Sequence, residues 1–243
     1  MSTILARILE KIEKTRQQGR DPLIVFDLDG TLYNNAPRTL RILQEFAHQH
    51  AFEQPRLLNK IEQLAARDIL YGVSDTLRSV GIDDEALLKQ IQNFWFDRFF
   101  TNSYLLHDLP TEGAVEFVIR VYQAQAIPAY LTGRDAPNML IGTIQTLQRD
   151  GFPIGTVDTR IILKPNFKIG DSVYKQSVVD HLRQAGDVVA VFDNEPNLCN
   201  LFLRAFPEAV VVRLDMPHTP NPESLLEDVI QIPHFAHLLR GQA

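Results

Sequence analysis

Five short apolar runs, none alternating with polar residues, constrain this chain more than any other feature: 23–26 (LIVF), 127–131 (IPAYL), 160–163 (RIIL), 188–192 (VVAVF) and 209–212 (AVVV). A strand with one wet face reads as apolar and polar residues in turn. A strand covered on both faces reads as a continuous apolar run. These runs therefore predict a parallel sheet buried between two helical layers. Helical patterns fall between them, as such a sheet requires. Residues 137–149 follow Asp135 as N-cap and stop before Gly151, and 173–184 follow Asp171 and Ser172 and stop before Gly186. Residues 197–206 open just after Pro196, a favoured first-turn residue. Strand–helix alternation from residue 126 onward implies right-handed βαβ units and a doubly wound, Rossmann-like α/β sheet.

One stretch breaks that rhythm. Between Tyr33 and Glu112 no convincing strand is found, and apolar residues recur at helical spacing: Leu40/Leu43/Phe46/Ala47, Leu57/Leu58/Ile61/Leu64/Ala65 and Leu87/Leu88/Ile91/Phe94/Trp95, punctuated by Gly72 and Gly81. The expectation is an all-helical insertion over 33–112, with 1–32 and 113–243 forming the α/β core. Tyr33, Trp95, Phe96 and Tyr104 are expected to pack in cores rather than face a site.

Composition narrows the partners. With 24 Lys and Arg against 30 Asp and Glu, the net charge is -6, and no basic stripe of the kind that grips nucleic acid is present. Arg38/Arg41 and Lys11/Lys14/Arg16 read as solvated helix faces, so nucleic acid is not an expected partner. The N-terminus, with Ile4, Leu5, Ile8, Leu9 and Ile12 among charges, reads as an amphipathic helix and not a signal-peptide core. No segment approaches the roughly 20 apolar residues of a membrane span. A single cysteine, Cys199, excludes an intrachain disulfide and reads as a buried bystander. The expected setting is cytoplasmic. His234 and His237 read as surface residues beside Ile232 and Phe235.

The first strand runs directly into FDLDGTL. Asp27 and Asp29 flank Leu28, so an extended backbone points both carboxylates to one side, and Gly30 permits a sharp turn. Ligands of doubly wound sheets bind outside the carboxyl ends of the strands, where this pair falls. Two such close carboxylates repel each other unless a cation lies between them or one is protonated. Mg2+ suits an all-oxygen site of carboxylates, water and substrate phosphate.

The DxDGT pattern at 27–31 resembles the first motif of the haloacid dehalogenase superfamily. The resemblance spans about residues 21 to 213, and many members carry a helical cap where this chain has its insertion. It implies three further motifs. Thr132 in AYLTGRD would hold a phosphate oxygen, with Gly133 beside it and Arg134 either helping there or forming an exposed salt bridge. A lysine would steady the phosphoryl group: Lys175 in SVYKQ matches the family position, and Lys164 in ILKP is the reserve. Asp193 in VVAVFDNEPN would bind metal. Family members often place a second Asp nearby; this chain has Asn194 and Asn197, leaving Glu195 or Asn197 as candidates for that ligand.

By the same resemblance Asp27 is the nucleophile and forms an aspartyl-phosphate, and Asp29 is the acid and then the base. Mg2+ would be held by Asp27, Asp29 through its backbone carbonyl, and Asp193. The dehalogenating branch lacks the second Asp, so Asp29 favours a small phosphorylated substrate over a carbon–halogen bond. A phosphomutase, a polynucleotide end-phosphatase and a non-catalytic binding module are the competing readings.

Overall fold

The computed structural model describes residues 3–240, which separate into two compact units: 3–33, 110–137 and 147–240 form the first, and 34–109 with 138–146 the second. In the first, helix α1 (Thr3–Gln17) precedes strand β1 (Pro22–Phe26). Two-residue strands β2 (Tyr33–Asn34) and β3 (Leu109–Pro110) lie inside the span that the sequence reading left without strands; they are too short to produce a periodic signal.

The second unit is helical. It contains α2 (Ala36–Gln49), α3 (Pro55–Glu62), α4 (Val73–Ser79) and α5 (Glu85–Phe99), which bury Leu43, Phe46, Leu57, Ile61, Leu77, Leu88 and Ile91 in a core of their own. Arg38 corrects the expectation of a solvated face. It is fully buried, its Nε donates to Asp108 at 2.8 Å, and its guanidinium stacks on Phe99. A charge read from spacing alone gives no notice of a partner 70 residues away. Phe96 is likewise not core but 47% exposed, whereas Trp95 is half-buried and its indole donates to the Thr39 hydroxyl.

The chain continues through α6 (Ala114–Gln123), β4 (Ile127–Asp135), α7 (Ala136–Arg149), β5 (Arg160–Lys164), α8 (Asp171–Ser177), α9 (Val179–Ala185), β6 (Asp187–Asp193), α10 (Pro196–Ala205), β7 (Val210–Leu214), β8 (Ile230–Ile232) and α11 (Ala236–Leu239). Among the described residues six strands form one parallel sheet in the order β5-β4-β1-β6-β7-β8. Its faces explain the continuous apolar runs. Ile24, Phe26, Tyr130, Ala190 and Phe192 join a core with α1 and α6, while Leu23, Val25, Ala129, Leu131 and Val191 join the core on the opposite face with α9 and α10. Two differences from the sequence reading are local. The helix predicted over 173–184 is two short helices separated at Val178, and the sixth strand, β8, is only three residues long.

From β1 the chain steps outward to β4 and β5, then crosses back to β6 on the other side of β1. The order reverses between β1 and β6, and ligands of such sheets bind beyond the carboxyl ends of the strands at this switch point.

Candidate active site

Phe26 and Phe192 are register partners in β1 and β6, and the Asp27 amide donates to the Phe192 carbonyl at 2.9 Å. Asp27 and Asp193 therefore leave the sheet side by side at the switch point. Both carboxylates are buried, and Lys175 lies between them: its Nζ donates at 2.7 Å to Asp27 Oδ1 and at 2.7 Å to Asp193 Oδ2. The lysine comes from α8, whose position under β4 brings Nζ to the two strand ends. Lys164 is engaged elsewhere, donating to the Ile169 carbonyl and to Asp171.

The charges interact strongly. Burial, then the negative neighbours Asp193 and Asp29, push the Asp27 carboxyl up to about 7 against the pull of Lys175. Burial alone would lower Lys175, but Asp193 and Asp27 hold its ammonium above the ordinary lysine range. Burial also pushes up the Cys199 thiol, which is fully buried with its Sγ 3.6 Å from the Asp193 carbonyl.

Beyond Asp27 the chain makes a tight loop. The Leu28 carbonyl accepts from the amides of Thr31 and Tyr33, and the Asp27 carbonyl from Leu32. Gly30 has φ +80°, and a Cβ there would lie 2.5 Å from the Asn194 amide nitrogen, so this position admits only glycine without displacement. Asp29 is the more open carboxylate, 26% exposed, and the Arg134 guanidinium grips it with Nε to Oδ2 at 2.7 Å and Nη2 to Oδ1 at 3.0 Å.

Arg134 reaches Asp29 because β4 is irregular at its end. Thr132 pairs with Leu163 and Asp135 with Lys164, so Gly133 and Arg134 are two extra residues in the ladder. Such a bulge re-aims side chains beside a site. Gly133 is pressed against Asp171, whose carboxylate would lie 2.2 Å from a Cβ. The Thr132 hydroxyl is fully buried and accepts from the Arg134 amide at 3.2 Å.

Asp27, Asp29, Thr132, Arg134, Lys175 and Asp193 thus converge at one end of the sheet. The two candidates for a second fourth-motif ligand do not join them. Both Glu195 oxygens accept from the Thr219 amide at 3.1 Å, and Asn197 accepts from the Glu223 amide at 2.7 Å. Asn194, which sequence reasoning treated only as a missing acid, sits against Gly30, accepts from the Thr31 hydroxyl at 3.4 Å and donates to the Pro217 carbonyl at 2.7 Å. The only advance signal was its place directly after Asp193.

The donor set fits a hard divalent cation. Asp27 and Asp193 bring two buried carboxylates to a single lysine nitrogen, and Asp29 lies two residues on, an all-oxygen donor set of the kind magnesium takes.

A family model described as haloacid dehalogenase-like hydrolase matches residues 22–212. No curated protein matches the chain. A putative phosphatase from Clostridium difficile superposes with TM-score 0.57 at 14% identity, covering 87% of this chain and 94% of its own. A HAD-superfamily hydrolase of subfamily IA from Geobacter sulfurreducens does so with TM-score 0.51 at 11% identity, covering 90% and 95%. A dehalogenase aligns at 17% identity over 92% and 98% with TM-score 0.48. The likeness to the Clostridium difficile and Geobacter sulfurreducens proteins is one of fold.

Proposed function

The chain belongs to the haloacid dehalogenase-like hydrolases, and on that premise we propose that it is a magnesium-dependent phosphatase acting on a small phosphate monoester. The observation that carries this reading is the Asp27–Lys175–Asp193 cluster at the switch point of the sheet, with Asp29 two residues on. Lys175 occupies Asp27 Oδ1, and among the described residues Oδ2 accepts no hydrogen bond. That oxygen attacks phosphorus, the bond to the leaving oxygen breaks, and Asp29 delivers a proton to the departing alcohol. Water then attacks the aspartyl-phosphate, gives a proton to Asp29, and Asp27 is restored as phosphate leaves. Asp29 is the acid that a phosphate ester needs and a halide leaving group does not.

Lys175 and the backbone beside Thr132 and Gly133 supply positive charge and donors where phosphoryl oxygens gather. Bound magnesium would be held by Asp27, Asp193 and the Asp29 carbonyl, and would neutralise charge on the transferring group. A panel of phosphate esters with and without magnesium tests the reading. Turnover that needs magnesium and disappears in Asp27→Asn, with the fold kept, supports it. Turnover retained by that variant overturns it.

A further inference from the structure

We propose that Arg134 is a positioning residue for Asp29 that never touches the substrate; the assignment rests on the phosphatase reading above. A substrate-binding arginine must turn donors outward. The Arg134 side chain is 1% exposed, and its fork is directed at both oxygens of Asp29, itself 26% exposed. The pair thus has a buried end and an open end, with the arginine at the back and the carboxylate at the mouth.

A two-point guanidinium fork fixes the plane of a carboxylate as well as its place. The guanidinium is steadied in turn: its carbon lies 5.7 Å from the Tyr33 ring centre, and its backbone amide is tied to the Thr132 hydroxyl. The two-residue bulge between Thr132 and Asp135 delivers the arginine across β4 to the end of β1. Asp29 alone is a short side chain with two free torsions. In the transfer it must point a proton at the leaving oxygen as the P–O bond breaks, then accept one from water on the same line. A displacement of about 1 Å at such a group costs about 100-fold in rate.

The test compares wild type, Arg134→Gln, Asp29→Asn and the double variant on p-nitrophenyl phosphate and on an alkyl phosphate. Arg134→Gln should lower kcat by about 10–100-fold with KM changed by less than about 3-fold. The loss should be larger on the alkyl ester, whose leaving alkoxide needs the proton, than on the aryl ester. In the Asp29→Asn background, Arg134→Gln should cost nothing further. Arg134→Lys keeps the buried charge without the fork, guards against misfolding of the glutamine variant, and should show the same ester pattern. A raised KM at unchanged kcat makes Arg134 a substrate contact and overturns the assignment, as do losses that multiply in the double variant. Wild type inert toward both esters overturns the phosphatase reading, and this assignment with it.

Discussion

The Glu195 carboxylate closes on the backbone amide of Thr219, accepting from it at 3.1 Å with both oxygens. Asn194 holds the Pro217 carbonyl and Asn197 the Glu223 amide in the same way, so three of the four residues after Asp193 fasten the segment 217–223. Only Asp193 of this motif turns to Asp27, through Lys175. Glu195→Gln is therefore expected to leave magnesium affinity within about 3-fold of wild type. Asp193→Asn should weaken it by at least about 10–100-fold, the range lost even with indirect supports of a metal. Calorimetric titration of magnesium into each variant reads this directly. Equal losses in the two variants would return Glu195 to the ligands.

The buried Asp27 gives the metal-free protein a pH-dependent weakness. Its carboxyl stands at about 7 in the fold against 3.8 in the free chain. A raised carboxyl stabilises the fold below its unfolded value, and that contribution is lost as pH climbs through about 7. Lys175 is shifted upward too, but its contribution fades only above the ordinary lysine range and leaves this window untouched. In chelator, wild type and Asp27→Asn should melt alike near pH 4. By pH 8 the variant should be the more stable, with about 2–4 °C of Tm for each kcal/mol relieved. Melting curves that stay parallel from acid to base would disprove the assignment of this strain to Asp27.

The sheet was legible because burial on both faces writes itself into short stretches as continuous apolar residues, as LIVF and VVAVF do. The positions of Asp27 and Asp193 followed, since each lies where such a run ends. What stayed hidden depends on contacts distant in sequence. Arg134 meets Asp29 across 105 residues, through a ladder irregularity that no local pattern encodes. Glu195 and Asn197 looked available as ligands because nothing in the sequence indicates that backbone amides from a proline-rich tail occupy them. β8 has three residues, below the length at which a buried strand differs from any short apolar stretch.

In the helical unit, stability should hinge on Arg38 and Asp108, an ion pair with both side chains fully buried and a further Arg38 donor on the Phe99 carbonyl. Removing one partner of such a pair leaves a desolvated charge and costs about 3–5 kcal/mol. Asp108→Leu or Arg38→Met alone should fall in that range by denaturant unfolding. The double variant should recover most of the loss, because two apolar side chains of similar size need no mutual neutralisation. A double variant as unstable as the sum of the singles would mean that the two residues do not act as a pair.

Gly30 links backbone conformation to both aspartates. At φ +80° an L side chain costs about 1–2 kcal/mol, and the added methyl meets Asn194 Nδ2 at 2.5 Å and Cγ at 2.8 Å. Asn194 cannot retreat without loosening its bond to the Pro217 carbonyl. Gly30→Ala should therefore destabilise by more than the backbone cost alone and depress kcat, since Asp29 immediately precedes the strained residue. Asn194→Ala removes the side chain that is struck but leaves φ unchanged. Combined with Gly30→Ala it should cost less than the two single changes added together, the shortfall measuring the collision. Urea unfolding of the four proteins tests this, and strictly additive losses would leave backbone strain as the sole reason for glycine at this turn.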